Sequence, residues 1–227
     1  MRYKAAWDYQ EAILQKNVMA KTGLREATDA GKNLASLPQT EHHLLFVEHP
    51  HVYTLGKSGH IENVLLSEEH LAKRGIDFFR INRGGDITYH GPGQLVGYPI
   101  FDLEKFYTDI GKYLRNIEEV IILTLAEYGL KGERSRGETG VWLDPDKRGY
   151  ERKICAIGVR TSRWITMHGF ALNVNTNLEY FNFIIPCGIQ NKQVTSLKKE
   201  LGQGADMNDV KEKVKRNFEK VFEIELT

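Results

Sequence analysis

The sequence predicts an α/β fold of the α+β type: a mixed, largely antiparallel sheet flanked by helices. Helical patterns stand at the two ends of the chain and strand-like runs crowd its middle, an order that argues against a doubly wound parallel sheet. Ile110, Tyr113, Leu114, Ile117, Val120, Ile121, Leu125 and Tyr128 keep a 3.6-residue period and stop at Gly129, the signature of a core helix. Residues 140–143, 153–161 and 164–174 then follow as β-rich runs, the last two joined by a short Thr161-Ser162-Arg163 turn.

Taken in order, residues from Asp8 to about Leu24 are rich in helix formers, with Tyr9, Ala12, Ile13 and Lys16 at helical spacing, and a polar stretch near Pro38 ends that region. Leu44 to Leu55 is apolar and β-branched at both ends with Pro50 between, which suits a bulged strand or two short ones, and Gly56 and Gly59 mark a turn. Ser67, the acids Glu68 and Glu69, and Gly75 frame a short helix. Ile76 to Asn82 alternates like a strand, a glycine-rich stretch from Gly84 to Gly97 interrupts it, and Tyr98 to Leu103 resumes extended chain. Asp206 can cap a last helix whose Val210, Val214, Phe218 and Val221 or Phe222 face inward.

The 227 residues hold 31 basic and 30 acidic side chains, a formal charge of +1, so no bulk nucleic-acid or polybasic membrane binding is expected. Hydrophobic residues at 41% and charged residues at 27% are too apolar for disorder, and residues 1–227 read as one domain. Two cysteines, Cys155 and Cys187, make no disulfide framework. With no signal-like or membrane-spanning apolar run, and with acids in the first third, the expected location is the cytoplasm.

Several motifs are set aside. Gly56-Lys57-Ser58 resembles the end of a phosphate loop, but the glycine required upstream falls on His51. Gly91-Pro92-Gly93-Gln94-Leu95-Val96-Gly97 misses the dinucleotide fingerprint by one residue. His49 and His51 would share one face of a strand, yet no carboxylate completes a recognised metal pattern, and no metal or other cofactor is expected.

The stretch Arg83-Gly84-Gly85-Asp86-Ile87-Thr88-Tyr89-His90-Gly91-Pro92-Gly93-Gln94 is denser in chemistry than folding alone requires. Its glycines let backbone approach a ligand, and its arginine, hydroxyl and imidazole supply contacts; the alternative is an elaborate hairpin loop. Cys187 stands between Pro186 and Gly188, where a thiol is uncrowded, and a helix beginning near Gln193 would favour its thiolate; a small buried hydrophobe is the other reading. Cys155, inside a strand, reads as core. Lys153 opens that strand, either as a solvated end or, if partly buried, as a proton carrier. Sequence spacing does not show that it meets Cys187.

The segment RGGDITYHGPGQ from Arg83 to Gln94 resembles the signature of the octanoyltransferases of lipoate biosynthesis, the LipB family. KICAIGVR from Lys153, HGFALN from His168 and PCGI from Pro186 resemble that family's further motifs, in order, over most of residues 46–197. The resemblance implies the fold of biotin and lipoate ligase catalytic domains. It also implies transfer of octanoyl from octanoyl-acyl carrier protein to a lysine ε-amine on lipoyl domains of 2-oxoacid dehydrogenases and the glycine cleavage H protein, without ATP. By that likeness Cys187 is the nucleophile, Lys153 lowers its pKa and relays the proton, and substrate is bound by Arg83, Gly84, Gly85, Asp86, Ile87, Thr88, Tyr89 and His90, by Ala156, Ile157 and Gly158, and by Gly169, Phe170 and Ala171. The small residues Gly158, Gly169 and Ala171 would leave room for an apolar tunnel. Acidic partners suggest a basic rim from Lys57, Arg148, Arg152 and Lys192. The rival readings are an ATP-dependent lipoate ligase, a lipoyl-domain amidotransferase, and a non-catalytic module that binds acyl carrier protein.

Overall fold

Every residue of β5 (Gln94–Ile100) is buried, and its alternating side chains enter two different cores. Leu95 joins the larger core, built with α3 (Ile110–Ala126) and α5 (Met207–Phe222), whereas Val96, Tyr98 and Ile100 pack on the side of α1 (Tyr3–Asp29). A sheet covered on both faces follows from that alternation. This computed structural model describes residues 1–185 and 193–227.

Among the described residues the large sheet has seven strands in the order β1 (His43–Val47), β5, β9 (Ile165–Asn173), β8 (Arg152–Ser162), β7 (Val141–Leu143), β6 (Glu133–Arg134), with β10 (Gln193–Val194) running parallel beside β8. All its other pairings are antiparallel. A smaller sheet sets β2 (Val52–Leu55) between β3 (Asp77–Arg80), parallel to it, and β4 (Ile87–His90), antiparallel. The mixed, largely antiparallel sheet flanked by helices is therefore what the chain forms. Two short helices complete it, α2 (Glu68–Lys73) and α4 (Leu197–Leu201). No helix among the described residues is long and apolar enough to cross a membrane.

Local chemistry sets the helix ends. Ser67 accepts from His70 N–H, Asp109 from Lys112 N–H, and Asp206 from the N–H groups of Asn208 and Asp209, each cap satisfying an otherwise orphaned first-turn donor. Gly129 takes φ +74° just beyond α3.

Some expectations need correction. The helix at the start runs from Tyr3 to Asp29 and buries a different face: Tyr9, Ala12 and Lys16 are exposed, while Tyr3, Ala6, Gln10, Ile13, Leu14, Asn17, Ala20 and Lys21 face inward. Its polar members hid the stripe, because each finds a distant partner. Asn17 bonds the backbone of Glu41, and Lys21 Nζ lies 2.9 Å from both Asp102 and Glu104 and donates to Arg163 O. Of the two readings of residues 44–55, two short strands is the one that forms, and they lie in different sheets. The β8–β9 turn is Arg163-Trp164, both at positive φ, with Ser162 paired to Ile165.

Asp102 is 3% exposed, and Lys21 supplies its charge partner. Lys21→Met is expected to destabilise the fold by about 3 kcal/mol, because it strands a buried carboxylate. Urea unfolding at pH 7 checks this, and a loss under about 1 kcal/mol would show the pair to be effectively solvated.

Candidate active site

The glycine-rich stretch is not a loop. It contains β4, a turn at Gly91–Gly93 with Gly93 at φ +78°, and all but the last three residues of β5. Its sharpest approach lies just upstream, where Gly84 N–H donates to Val159 O on the edge of β8 at 2.9 Å. A Cβ on Gly158 would stand 2.9 Å from Gly84 O and 3.2 Å from Arg83 Cδ, so only glycine lets the two backbones meet there. The 56–59 turn clamps this crossing from outside, with Lys57 N–H donating to Arg83 O at 2.9 Å and Ser58 N–H to Gly85 O at 3.3 Å. The amides of the false phosphate loop are thus used internally.

Between this crossing and the face of β5, β9 and β8 lies a cavity of about 530 Å³. Of the expected substrate-binding residues, Arg83, Gly84, Gly85, Asp86, Ile87, Thr88, His90, Ala156, Ile157, Gly158, Gly169, Phe170 and Ala171 all line it, together with Lys153. Tyr89 does not. It points to the opposite face of β4, where its hydroxyl meets His51 Nδ1 at 2.7 Å and its ring stacks on Tyr180, as alternation along a strand dictates. Cys187, like Lys192, lies outside the described residues. Gly169 lines the cavity but is needed for a different reason than room: a Cβ there would sit 2.1 Å from Gly97 O on β5.

Residues not singled out as site residues also form the wall. Tyr3 precedes the expected start of its helix and carries no local signal. Ile110 and Leu114 belong to the periodic stripe that reads as pure core, and Gly137, Glu138 and Thr139 come from the loop before β7. His168 stands in a strand at φ +62°, where a non-glycine residue is strained. Its N–H donates to Gln10 Oε1 at 2.9 Å and its Nε2 to Asn82 Oδ1 at 3.0 Å, leaving Nδ1 buried without a hydrogen-bond partner among the described residues. His49 and His51 turn to separate partners, Tyr98 and Tyr89, and form no shared site.

A polar chain crosses the cavity floor. Gln94 Nε2 donates to Tyr89 O at 3.1 Å and to Asn173 Oδ1 at 2.9 Å, so its oxygen faces His90 Nδ1, 2.8 Å away, and that nitrogen must carry the proton. Neutral His90 then presents Nε2 as an acceptor 3.4 Å from Thr54 Oγ1, which itself accepts from Arg83 Nη2 at 3.1 Å. Burial pushes His90 down to about 3, with His49 and Arg83 adding to it, and pushes His168 to about 3 and His49 to about 4. Arg83 is therefore the cation beside a set of neutral imidazoles.

Lys153 is held from several sides. β7 pairs with β8 through a register shift, Val141 to Cys155 and then Trp142 to Lys153, a bulge that re-aims the side chain. The Trp142 ring lies 4.6 Å from Lys153 Nζ, and Val194 of β10 pairs with Lys153 in parallel, followed by Thr195 N–H donating to Lys153 O at 2.9 Å. The helix expected from Gln193 begins only at Leu197, because Gln193 and Val194 are spent on this pairing. Cys155 is fully buried, and burial raises its thiol far above the ordinary range, as its core reading requires. Arg152 is no free rim cation: it makes a two-point pair with Glu200 at 2.7 and 2.8 Å and another with Asp144 at 2.6 Å. Lys57 and Arg148 are exposed.

The family model of the lipoyl protein ligase A/B catalytic domain matches residues 2–219. An octanoyltransferase of Christiangramia forsetii is 59% identical over 99% of this chain and 93% of its own length. One of Flavobacterium johnsoniae is 59% identical over 99% of this chain and 94% of its own. Among solved structures, a bi-partite lipoate protein ligase from Thermoplasma acidophilum superposes with a TM-score of 0.66 at 18% identity, covering 93% of this chain and 81% of that one, a likeness of fold.

Two outcomes follow from the geometry. Because the three histidines stay neutral in the fold but protonate near pH 6.5 when unfolded, stability is full above about pH 6.5 and falls as pH drops toward their folded values. In urea titrations from pH 7 to 4.5, His90→Gln should make that fall shallower by up to one proton, about 1.4 kcal/mol per pH unit; an unchanged slope would mean that His90 is charged in the fold. Gly158→Ala should leave secondary structure in place, by circular dichroism, while lowering activity at least about tenfold, since its Cβ displaces the Gly84 crossing.

Proposed function

The chain belongs to the lipoyl protein ligase A/B catalytic domain family and is an acyltransferase of octanoyl transfer in protein lipoylation, and from that premise we propose the following cycle. The donor is octanoyl-acyl carrier protein, and the acceptor is the ε-amine of a lysine on a lipoyl domain. The Cys187 thiolate attacks the thioester carbonyl; a C–S bond to the enzyme forms, the bond to the pantetheine sulfur breaks, and that sulfur leaves with a proton given up by the Lys153 ammonium, which becomes neutral. The neutral acceptor amine then attacks the enzyme thioester, the amide C–N bond forms, the Cys187 C–S bond breaks to give back the thiolate, and Lys153, neutral after the first step, takes the amine's proton and becomes the ammonium again.

The observation that carries this reading is the setting of Lys153. It stands in the wall of a cavity lined mainly by glycines, apolar side chains and neutral polar groups, where Arg83, Asp86 and Glu138 are the other charged residues, with its ammonium against the Trp142 ring. A cation in such a place stabilises a thiolate and can exchange a proton without water. Cys187 precedes Val194, the residue paired with Lys153, by seven positions, which supports its part in the same site. Ala156, Ile157, Phe170 and Ala171 supply apolar wall for the acyl chain.

Intact-protein mass spectrometry tests the cycle. Wild type mixed with octanoyl-acyl carrier protein should gain one octanoyl group, and a lipoyl-domain acceptor should remove it. Cys187→Ala should gain none, and Cys155→Ala should behave as wild type. An adduct that persists in Cys187→Ala, or turnover that needs ATP and free octanoate, would overturn the cysteine mechanism.

A further inference from the structure

Among the described residues two carboxylates are buried, Asp102 and Glu118. Asp102 is matched by Lys21. Glu118, fully buried on α3, has no part in the reaction as described above, yet three residues converge on it. Its Oε1 accepts Gly140 N–H at 2.9 Å. Its Oε2 accepts from Arg134 Nε at 3.1 Å and lies 2.8 Å from Arg115 Nη1. Arg134 is itself held, since its Nη2 donates to Arg115 O at 3.0 Å and to Glu119 at 2.6 Å. Burial still raises the Glu118 carboxyl above its ordinary range, against the pull of Gly140 N–H and the two guanidiniums.

What this arrangement holds down is Gly140. That residue takes φ +122°, and a Cβ on it would stand 2.6 Å from Cys155 O and 3.5 Å from Lys153 Cε. Its backbone therefore lies directly on β8 beside the Lys153 stem. The chain on one side of it, Gly137 to Thr139, is cavity wall, braced by Ser135 Oγ donating to Glu138 at 2.6 Å. The chain on the other side enters the bulged pairing that puts Trp142 opposite Lys153 and under its ammonium. One carboxylate on a rigid helix thus anchors the segment that shapes both the wall and the lysine cradle.

We propose that Glu118 is a positioning residue for Lys153: by anchoring Gly140 from α3 it holds Trp142 and the 135–139 loop in the register that points the Lys153 ammonium into the cavity. The proposal rests on the reading of Lys153 as the proton carrier. A purely structural Glu118 would serve α3–β7 packing alone and affect activity only through the folded fraction.

A double-mutant cycle separates the two. The rate of octanoyl transfer from enzyme to lipoyl domain is measured at saturating substrates, with urea stability alongside, for wild type, Glu118→Leu, Lys153→Ala and the double variant. Glu118→Leu is expected to slow transfer about tenfold with the donor KM within about twofold. In the Lys153→Ala background it should add less than about twofold, while destabilising both backgrounds equally. Glu118→Gln, which keeps an acceptor for Gly140 N–H, should lose less, about threefold in otherwise wild-type enzyme. If the Leu variant does not fold, Glu118→Gln carries the same cycle, with about a threefold loss in wild type and none beside Lys153→Ala. An equal slowing by the Glu118 substitution in both backgrounds overturns the positioning role. Transfer undiminished in Lys153→Ala alone overturns the proton-carrier reading instead, and this proposal with it.

Discussion

The cavity depends on one main-chain hydrogen bond, from Gly84 N–H to Val159 O, which brings the small sheet down onto the edge of the large one. Two backbones can approach that closely only where side chains are missing, and Gly158 is missing its side chain at the crossing. A larger residue would force apart the layers that wall the cavity. The same constraint recurs one strand away, where Gly169 lies against the Gly97 carbonyl and keeps β5 and β9 in register beneath the site. Gly84 and Gly158 thus let the two sheets meet, Gly97 and Gly169 let two strands of one sheet meet, and the free volume is what remains beside these contacts.

That geometry fixes the electrostatics. Once the small sheet covers the floor, His49, His90 and His168 are removed from water, and burial leaves them neutral. Neutral imidazoles can both donate and accept, so the chain from Arg83 through Thr54, His90 and Gln94 to Asn173 is ordered without adding charge. Asn173 Nδ2 in turn donates to Thr195 O, at the strand that holds Lys153. The polar floor and the lysine are thus parts of one bonded framework, and a cation introduced at either end faces little competing positive charge from the histidines.

How much of this the sequence discloses depends on where each residue finds its partners. Helices α3 and α5 and the β7–β8–β9 meander are legible because periodicity, the Gly129 stop of α3 and the Asp206 cap of α5 lie within a few positions. The glycine-rich segment is legible as a site because its composition is unusual, although not as strands. The face of α1 is illegible: Gln10, Asn17 and Lys21 are polar, and what buries them is His168 N–H, the Glu41 backbone and Asp102, all far along the chain. Arg152 reads as a surface cation because nothing local shows Glu200, its partner from α4. Tyr89 reads as part of the motif, and only the alternation of β4 turns it away.

Lys153 shows why a site of this kind must be assembled from afar. A lysine at the start of a strand ordinarily extends into water, since its stem is flexible and its ammonium strongly hydrated. Here the bulge with β7 rotates it, Trp142 gives its ammonium a face to rest on, and β10 pairs its backbone on the other edge. The segment holding Cys187 joins β9 to β10, so the chain that carries the thiol also returns as the strand that steadies the lysine. The backbone that follows Cys187 in sequence is therefore the backbone that pairs with Lys153, and the setting of the lysine depends on the fold rather than on the reach of one flexible side chain.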